Sequence, residues 1–414
     1  MLKIDGHGYS PTILHRILHM AAVSNCFEQA AVSLQVVGEL SISSRQVNKL
    51  AAEMGSQLAA ERDKRTAAWS EQSLPRLKTQ PETPIPLAAV FTDGGRMRTR
   101  EPGKGRGVHQ ARWRETKNSS FHRMSSKSHA EDPQPELAGC FCDRAYVKKL
   151  VHGLKRLKKQ GRDEELERDD EQKTSTASLT ASVSGQPKTL FRTCLSSLAC
   201  SDEFGPMMAS EADARGFYRA EKRAFVADGQ AYNWTIQASW FSDFTPIVDF
   251  VHVIEYVYEA AKAVHTDEDQ WWQQYIAWAT ACWQGRADDV IAELHQWQSQ
   301  LGPLPENAPD TAPQRIVSAT ITYLINNRTR MDYPRYRREG LPVTSSLAES
   351  LVKQISKRVK GTEMFWDDGP SGEAILQLRA AVISDGQRLA DWVAQRPISP
   401  FSPRCRDGTL ATGA

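Results

Sequence analysis

The chain has 414 residues, of which 40% are hydrophobic and 25% charged, with a formal net charge of +2. This composition allows two or three domains, or one domain with a large insertion. It excludes a global field that would draw the protein to nucleic acid or membrane, so any anionic partner must be met by local basic patches. No run of about 18 apolar residues occurs, and the opening MLKIDGHGYS lacks the apolar stretch of a secretory signal. The seven cysteines, odd in number and without a Cys-x-x-Cys pair, suit a reducing compartment. A cytoplasmic protein with no membrane association and no structural zinc is expected.

In chain order, residues 1–65 carry apolar residues at spacings of three and four, with Ser43 or Ser44 as the N-cap of a helix starting near Arg45. Two short helices, a tight turn and a third helix that begins with polar and basic residues predict a helix-turn-helix-like DNA-binding module, or a small bundle that packs on the next domain. Residues 66–85, ending LKTQPETPIP, read as a linker. Residues 86–253 read as the first part of an α/β core, with strand character in PLAAVFTDG, GVHQARWRETKNSSFHRM, FYRAEKRAFVADG and TPIVDFVHV. A charged and then Ser/Thr-rich stretch at about 155–190 interrupts it as a polar insertion. Residues 254–340 predict an all-helical insertion whose core is filled by Trp271, Trp272, Trp278, Trp283 and Trp297. Residues 341–396 return to the core through the amphipathic helix SSLAESLVKQISKRVKG, with Ser345 or Ser346 near its cap and Gly361 as its stop; residues 397–414 read as a loose tail.

Two apolar runs each deliver an aspartate to glycine: Asp93 in VFTDGG and Asp228 in FVADGQ. With Glu349 on the late helix they form a set of three acids that only folding could unite. Three carboxylates at one place repel unless a cation neutralises them, and hard oxygen ligands select Mg²⁺ or Mn²⁺. Two such ions about 4 Å apart would activate a water or a 3′-hydroxyl for in-line phosphoryl transfer. Taken alone, however, each Asp-Gly is equally a turn, and Glu349 a solvated helix acid. Asp249, at the end of TPIVDF, is the rival to Asp228.

The order VFTDGGRMRTR, RWRETK, FVADGQAYNW, IVDFVHVIEYV and VTSSLAESLVKQISKRVKGTEMFW resembles bacterial insertion-sequence transposases with an RNase H-like DDE domain. The likeness is to the Kra-type insertion sequences and their Mutator-like relatives, over roughly residues 10–395. It implies an RNase H-like mixed sheet with helices, interrupted by an all-α insertion before the final acid and preceded by the helix-turn-helix-like module. It implies Asp93, Asp228 and Glu349 as catalytic ligands of two Mg²⁺ or Mn²⁺ ions. Asp249-Phe250-Val251-His252 matches the Cys/Asp-x-x-His signature that follows the second aspartate in Mutator-type enzymes, which implies a place for His252 near the scissile phosphate or the DNA strand rather than as a metal ligand. The partners implied are double-stranded DNA, as terminal inverted repeats and as target, and further copies of the chain when two ends are paired.

Basic residues cluster where that DNA would lie. Arg96, Arg98, Arg112 and Arg114 follow the first aspartate, and Lys353, Lys357, Arg358 and Lys360 share the helix of Glu349. Lys353, Lys357 and Lys360 recur at four and three, so one helix face is cationic. The sequence departs from the family pattern in the ragged region 115–215, which weakens the expected third strand and first core helix. An RNase H-fold nuclease or resolvase and a catalytically decayed DNA-binding remnant are the alternative readings.

Overall fold

The computed structural model describes residues 8–100, 112–159, 186–344, 346–359, 366 and 369–396, with the side chains of 156–159 and 346–350 excepted. It opens with three helices, α1 (Pro11–Val23), α2 (Phe27–Gly38) and α3 (Ser44–Ser70). Ser10 Oγ accepts from Ile13 N at 3.4 Å and Ser43 Oγ from Gln46 N at 3.2 Å, so serine caps open both α1 and α3. α3 runs on to Ser70, so residues 66–70, expected as linker, are helical. Next come β1 (Leu87–Thr99), β2 (Arg112–Met124), α4 (Arg144–Lys159), β3 (Thr189–Ser197), α5 (Ser201–Ala214), β4 (Lys222–Ala227), α6 (Ala231–Trp240) and β5 (Thr245–Val248). A helical tract follows: α7 (Phe250–Val264), α8 (Glu268–Trp283), α9 (Ala287–Leu301), α10 (Pro313–Asn327) and α11 (Tyr333–Arg338). The last helices are α12 (Ser346–Val359), α13 (Pro370–Ile383) and α14 (Arg388–Gln395). No helix among the described residues is long and apolar enough to cross a membrane.

The strands form one mixed sheet in the order β3-β2-β1-β4-β5. β1 and β2, and β2 and β3, pair antiparallel, whereas β1 and β4, and β4 and β5, pair in parallel. Only the first half of β1 pairs with β4, from Leu87↔Lys222 to Thr92↔Ala227; the second half pairs with β2 and, at Thr99, bridges to Trp366, as an arm that runs on past β4. The expected turn at Asp93-Gly94-Gly95 is therefore absent, because β1 continues through both glycines to Thr99. At the β3 edge, the backbone of Arg192 donates to Asp385 Oδ2 at 2.8 Å and that of Cys194 to Ser384 Oγ at 2.9 Å. The α13–α14 connection thus satisfies an edge that would otherwise offer itself to another strand.

Neither helical part has a core of its own. Leu14, Ile17, Leu18, Val47, Leu50 and Met54 of the N-terminal helices pack with Leu378 and Ala381 of α13 and with Leu389 and Val393 of α14. α3 and α13 touch backbone to backbone: a Cβ at Gly55 would stand 2.3 Å from the Ala374 carbonyl oxygen. Glu211 of α5, fully buried, is ion-paired to Arg65 of α3 at 2.5 Å, to Arg215 at 2.8 Å and to Arg388 of α14 at 2.9 Å. Burial would raise its pKa, but the three guanidinium groups hold it down at about 2. The helical tract was expected to fill a separate insertion core. Instead Trp278, Trp283 and Tyr333 share one core with Phe91, Phe225 and Val248 of the sheet. Their polar atoms are met across that boundary: Trp283 Nε1 donates to the Gln134 carbonyl and Tyr333 Oη to the Val248 carbonyl, each at 2.9 Å. Each such ring removes roughly 150–250 Å² from water, about 4–6 kcal/mol at about 25 cal/mol/Å² before the entropy of ordering is subtracted.

Gly55→Ala should destabilise the protein by about 1–3 kcal/mol in urea unfolding, because the added methyl meets backbone that cannot yield. Gly38→Ala, where nothing lies within 4 Å of the added Cβ, should leave the midpoint unchanged or raise it.

Candidate active site

The parallel register fixes where the acids stand. Thr92 pairs with Ala227 and Ala227 with Val248, so Asp93, Asp228 and Asp249 each follow the last registered residue of three neighbouring strands. Asp249 N donates to the Ala227 carbonyl at 2.9 Å, which holds the row together. Burial deepens across it: Asp93 is half-buried, Asp228 is 8% exposed and Asp249 is fully buried.

Asp228 sits in a true turn. Gly229 adopts φ +95°, and a Cβ there would lie 2.7 Å from the Tyr323 ring, so both the backbone conformation and the approach of α10 require glycine. Tyr323 Oη donates to the Asp228 carbonyl at 3.1 Å, and Asn327 of the same helix accepts from Trp234 Nε1 at 3.0 Å. The carboxylate itself accepts from Gln230 N at 3.0 Å and from Asn233 Nδ2 at 2.9 Å, both on Oδ1.

His252 lies in the first turn of α7, 4% exposed, with Nε2 3.8 Å from Asp249 Oδ2 and Nδ1 3.7 Å from Glu255 Oε2. Burial alone would lower its pKa; the contact with Glu255 and the charges of Asp249, Asp228 and Asp93 outweigh it and lift the imidazole to about 10. The acids around the ring thus favour its protonated form. The phenol of Tyr232, whose Oη lies 3.6 Å from a Cβ built at Gly94, is pushed up by burial and then by Asp228, Glu115 and Asp93. Lys117 lies 4.1 Å over that ring and pairs with Glu115 at 3.1 Å.

α12 approaches from the other face. Asp93, Gly95 and Met97 alternate onto one side of β1, where Val352 Cγ1 comes within 3.5 Å of a Cβ built at Gly95 and Met97 packs with Leu351 and Ile355. Further on, Trp366 bridges to Thr99 and donates from Nε1 to the Val359 carbonyl at 3.2 Å, so α12 runs along β1 in the strand's own direction. Glu349 is three helical residues, roughly 4.5 Å, before Val352, and Asp93 is two strand residues, roughly 6.6 Å, before Gly95. The position of Glu349 is therefore level with Asp93; its side chain lies outside the described residues. Among the described residues no group of three or more His, Cys, Asp or Glu side chains is arranged to hold a metal ion.

The basic residues divide. Arg96 and Arg98 alternate onto one face of the β1–β2 arm and Arg112 and Arg114 onto the other, with Arg112 exposed and Arg98 stacked 5.0 Å from Trp113. Lys353 is half-buried and Lys357 exposed, and Lys360 lies outside the described residues. Arg358 is corrected: it is 1% exposed, its Nε donates to the Ala21 carbonyl at 2.7 Å and its guanidinium lies against Phe27 and Trp366, so it ties α12 to the N-terminal helices and cannot meet a phosphate. Sequence reasoning passed over Asn233, Tyr323, Tyr232 and Glu255. Only Glu255 carried a signal, at three residues from His252 on a helix. No family model and no curated protein matches the chain.

Because the folded-state pKa of His252 lies above its ordinary 6.5, its charge adds stability in full below about pH 6.5, and that contribution is lost as pH rises through about 10. The ring should keep both nitrogen protons at pH 8, read from its ¹⁵N shifts; a neutral tautomer there would contradict the arrangement.

Proposed function

We propose that the chain is a DNA transposase of an insertion sequence, with an RNase H-like catalytic core that cleaves and joins strands with divalent metal. The observation that carries this reading is the register that sets Asp93 beside Asp228, with the first turn of α12 level with them. The mixed sheet, followed by a helical tract and then by the helix of Glu349, fits that core. The donor set fits Mg²⁺ or Mn²⁺: both aspartates offer hard oxygens, and Asp228 Oδ2 accepts no hydrogen bond among the described residues.

Asp93 and Asp228 would hold the ions, with Glu349 completing the set. When bound, the pair supplies an activated water or 3′-hydroxyl and stabilises the leaving oxygen. His252, charged behind the row, keeps Asp249 and Glu255 from adding uncompensated repulsion to the two ligands. The β1–β2 arm, with Arg96, Arg98, Arg112 and Arg114, and the outer side of α12, with Lys353 and Lys357, flank the site and would position the DNA backbone. Arg45, Asn48 and Lys49, exposed at the start of α3, would face the terminal repeats. Pairing two ends calls for at least two copies of the chain.

Asp228→Asn should lower strand cleavage by more than about 100-fold, beyond what an outer-shell change costs, while binding to repeat-end DNA in a mobility-shift assay is unchanged. Undiminished cleavage removes Asp228 from the mechanism. A pre-cut end that is never joined to target by the wild-type protein would point to a nuclease instead.

A further inference from the structure

Asn233 lies on α6, is fully buried, and turns its amide to the aspartate: Nδ2 donates to Asp228 Oδ1 at 2.9 Å. The same carboxylate oxygen accepts from Gln230 N at 3.0 Å. The other end of the amide, Asn233 Oδ1, is buried without a hydrogen-bond partner. Turning the amide over would set that oxygen against a carboxylate, so the charge of Asp228 fixes its orientation. A buried amide with one end unsatisfied is costly to keep, and the bond it donates to Asp228 offsets that cost. That bond also divides the two oxygens of Asp228: Oδ1 holds two donors and Oδ2 none among the described residues.

We propose that Asn233 is a positioning residue that makes Asp228 a one-oxygen ligand and so sets which divalent cation the site accepts. The inference rests on the metal-dependent reading given above. A carboxylate with one oxygen committed to an amide and a backbone N–H can meet a cation only through the other. Mg²⁺, and Mn²⁺ as its hard-ligand substitute, take carboxylates singly in a strict octahedron. Ca²⁺, larger and less directional, is often bound by both oxygens of one group. Without the amide, Asp228 could turn and offer both oxygens, and the preference would fall. Leucine at 233 keeps the volume and removes the donor; serine keeps a shorter polar group and guards against a leucine variant that does not fold.

The test is cation-linked thermal stabilisation of the full chain, titrated with MgCl₂, MnCl₂ and CaCl₂. Wild type should be stabilised by Mn²⁺ and Mg²⁺ at lower concentration than by Ca²⁺. Asn233→Leu or Asn233→Ser should raise the Mn²⁺ half-saturation by about tenfold and narrow the gap to Ca²⁺, and a variant that only loosens packing would shift all three titrations alike. Variants that keep both the wild-type half-saturation and the wild-type preference overturn the role of Asn233 and leave the metal reading standing. Equal stabilisation of the wild type by Ca²⁺ and Mn²⁺ overturns it without any variant. A wild type that no divalent cation stabilises, and that behaves as Asp228→Asn does, overturns the metal reading and the inference with it.

Discussion

Parallel pairing of β1, β4 and β5 is the constraint from which the rest follows. In a parallel sheet all strands point their carboxyl ends the same way, so one residue past the last rung falls at the same edge on every strand. Here that residue is aspartate three times, Asp93, Asp228 and Asp249. Carboxylates crowded at a partly buried edge destabilise one another unless each charge is met. The chain meets them by different means. Asp249 caps α7, accepting from Val251 N at 3.1 Å and standing at the positive end of the helix. Beside it stands His252, whose protonated form the surrounding acids favour. Asp228 receives a backbone N–H and an amide.

The elements that supply this compensation come from segments far apart in sequence. α10 holds the Asp228 turn through Tyr323, and the ring of Tyr256 on α7 stacks on Tyr323 with centroids 3.8 Å apart. The helical tract is therefore a buttress of the edge that carries the aspartates. On the other face α12 is held in turn by Arg358, whose guanidinium reaches the carbonyls at the end of α1 and in the following turn. Burial pulls that guanidinium down to about 10, a cost set against hydrogen bonds to carbonyls that the helix end leaves open. Through this side chain the N-terminal helices and the helix of Glu349 hold one another in place.

How much of this was legible depends on which physical term decided each element. Serine caps and three-and-four spacing mark α1 and α3 plainly, and FVADG gives both β4 and its turn. The glycines after Asp93 were misleading because Gly-Gly usually punctuates a chain; in β1 they instead allow close approach. A Cβ at Gly95 would lie 2.6 Å from Thr116 Oγ1 and 2.8 Å from Asn118 Nδ2. β3, with sequence TLFRTCLSS, has exposed residues in its first half and serines in its buried half, so neither alternation nor apolar run announces it. Arg358 was obscured by the lysines around it, yet it falls at the seventh position after Leu351, on the stripe that carries Ile355. Asn233 and Tyr323 had no local signal, because their roles are set by an aspartate 5 and 95 residues away.

The rivalry between Asp228 and Asp249 turns on what their oxygens are already doing. Asp249 is sealed from solvent, with Oδ1 accepting from the backbone of α7 and Oδ2 facing the His252 ring. Drawing it onto a cation would uncap the helix and strip a buried imidazolium of a counter-charge, and both losses would count against binding. Asp228 has one oxygen committed and one without a hydrogen bond, and its neighbour Asp93 is the most exposed of the row. What separates the two aspartates is thus access and spare lone pairs. Asp249, as well placed in the register as the other two, instead caps α7 and, after Glu255, favours the protonated ring of His252.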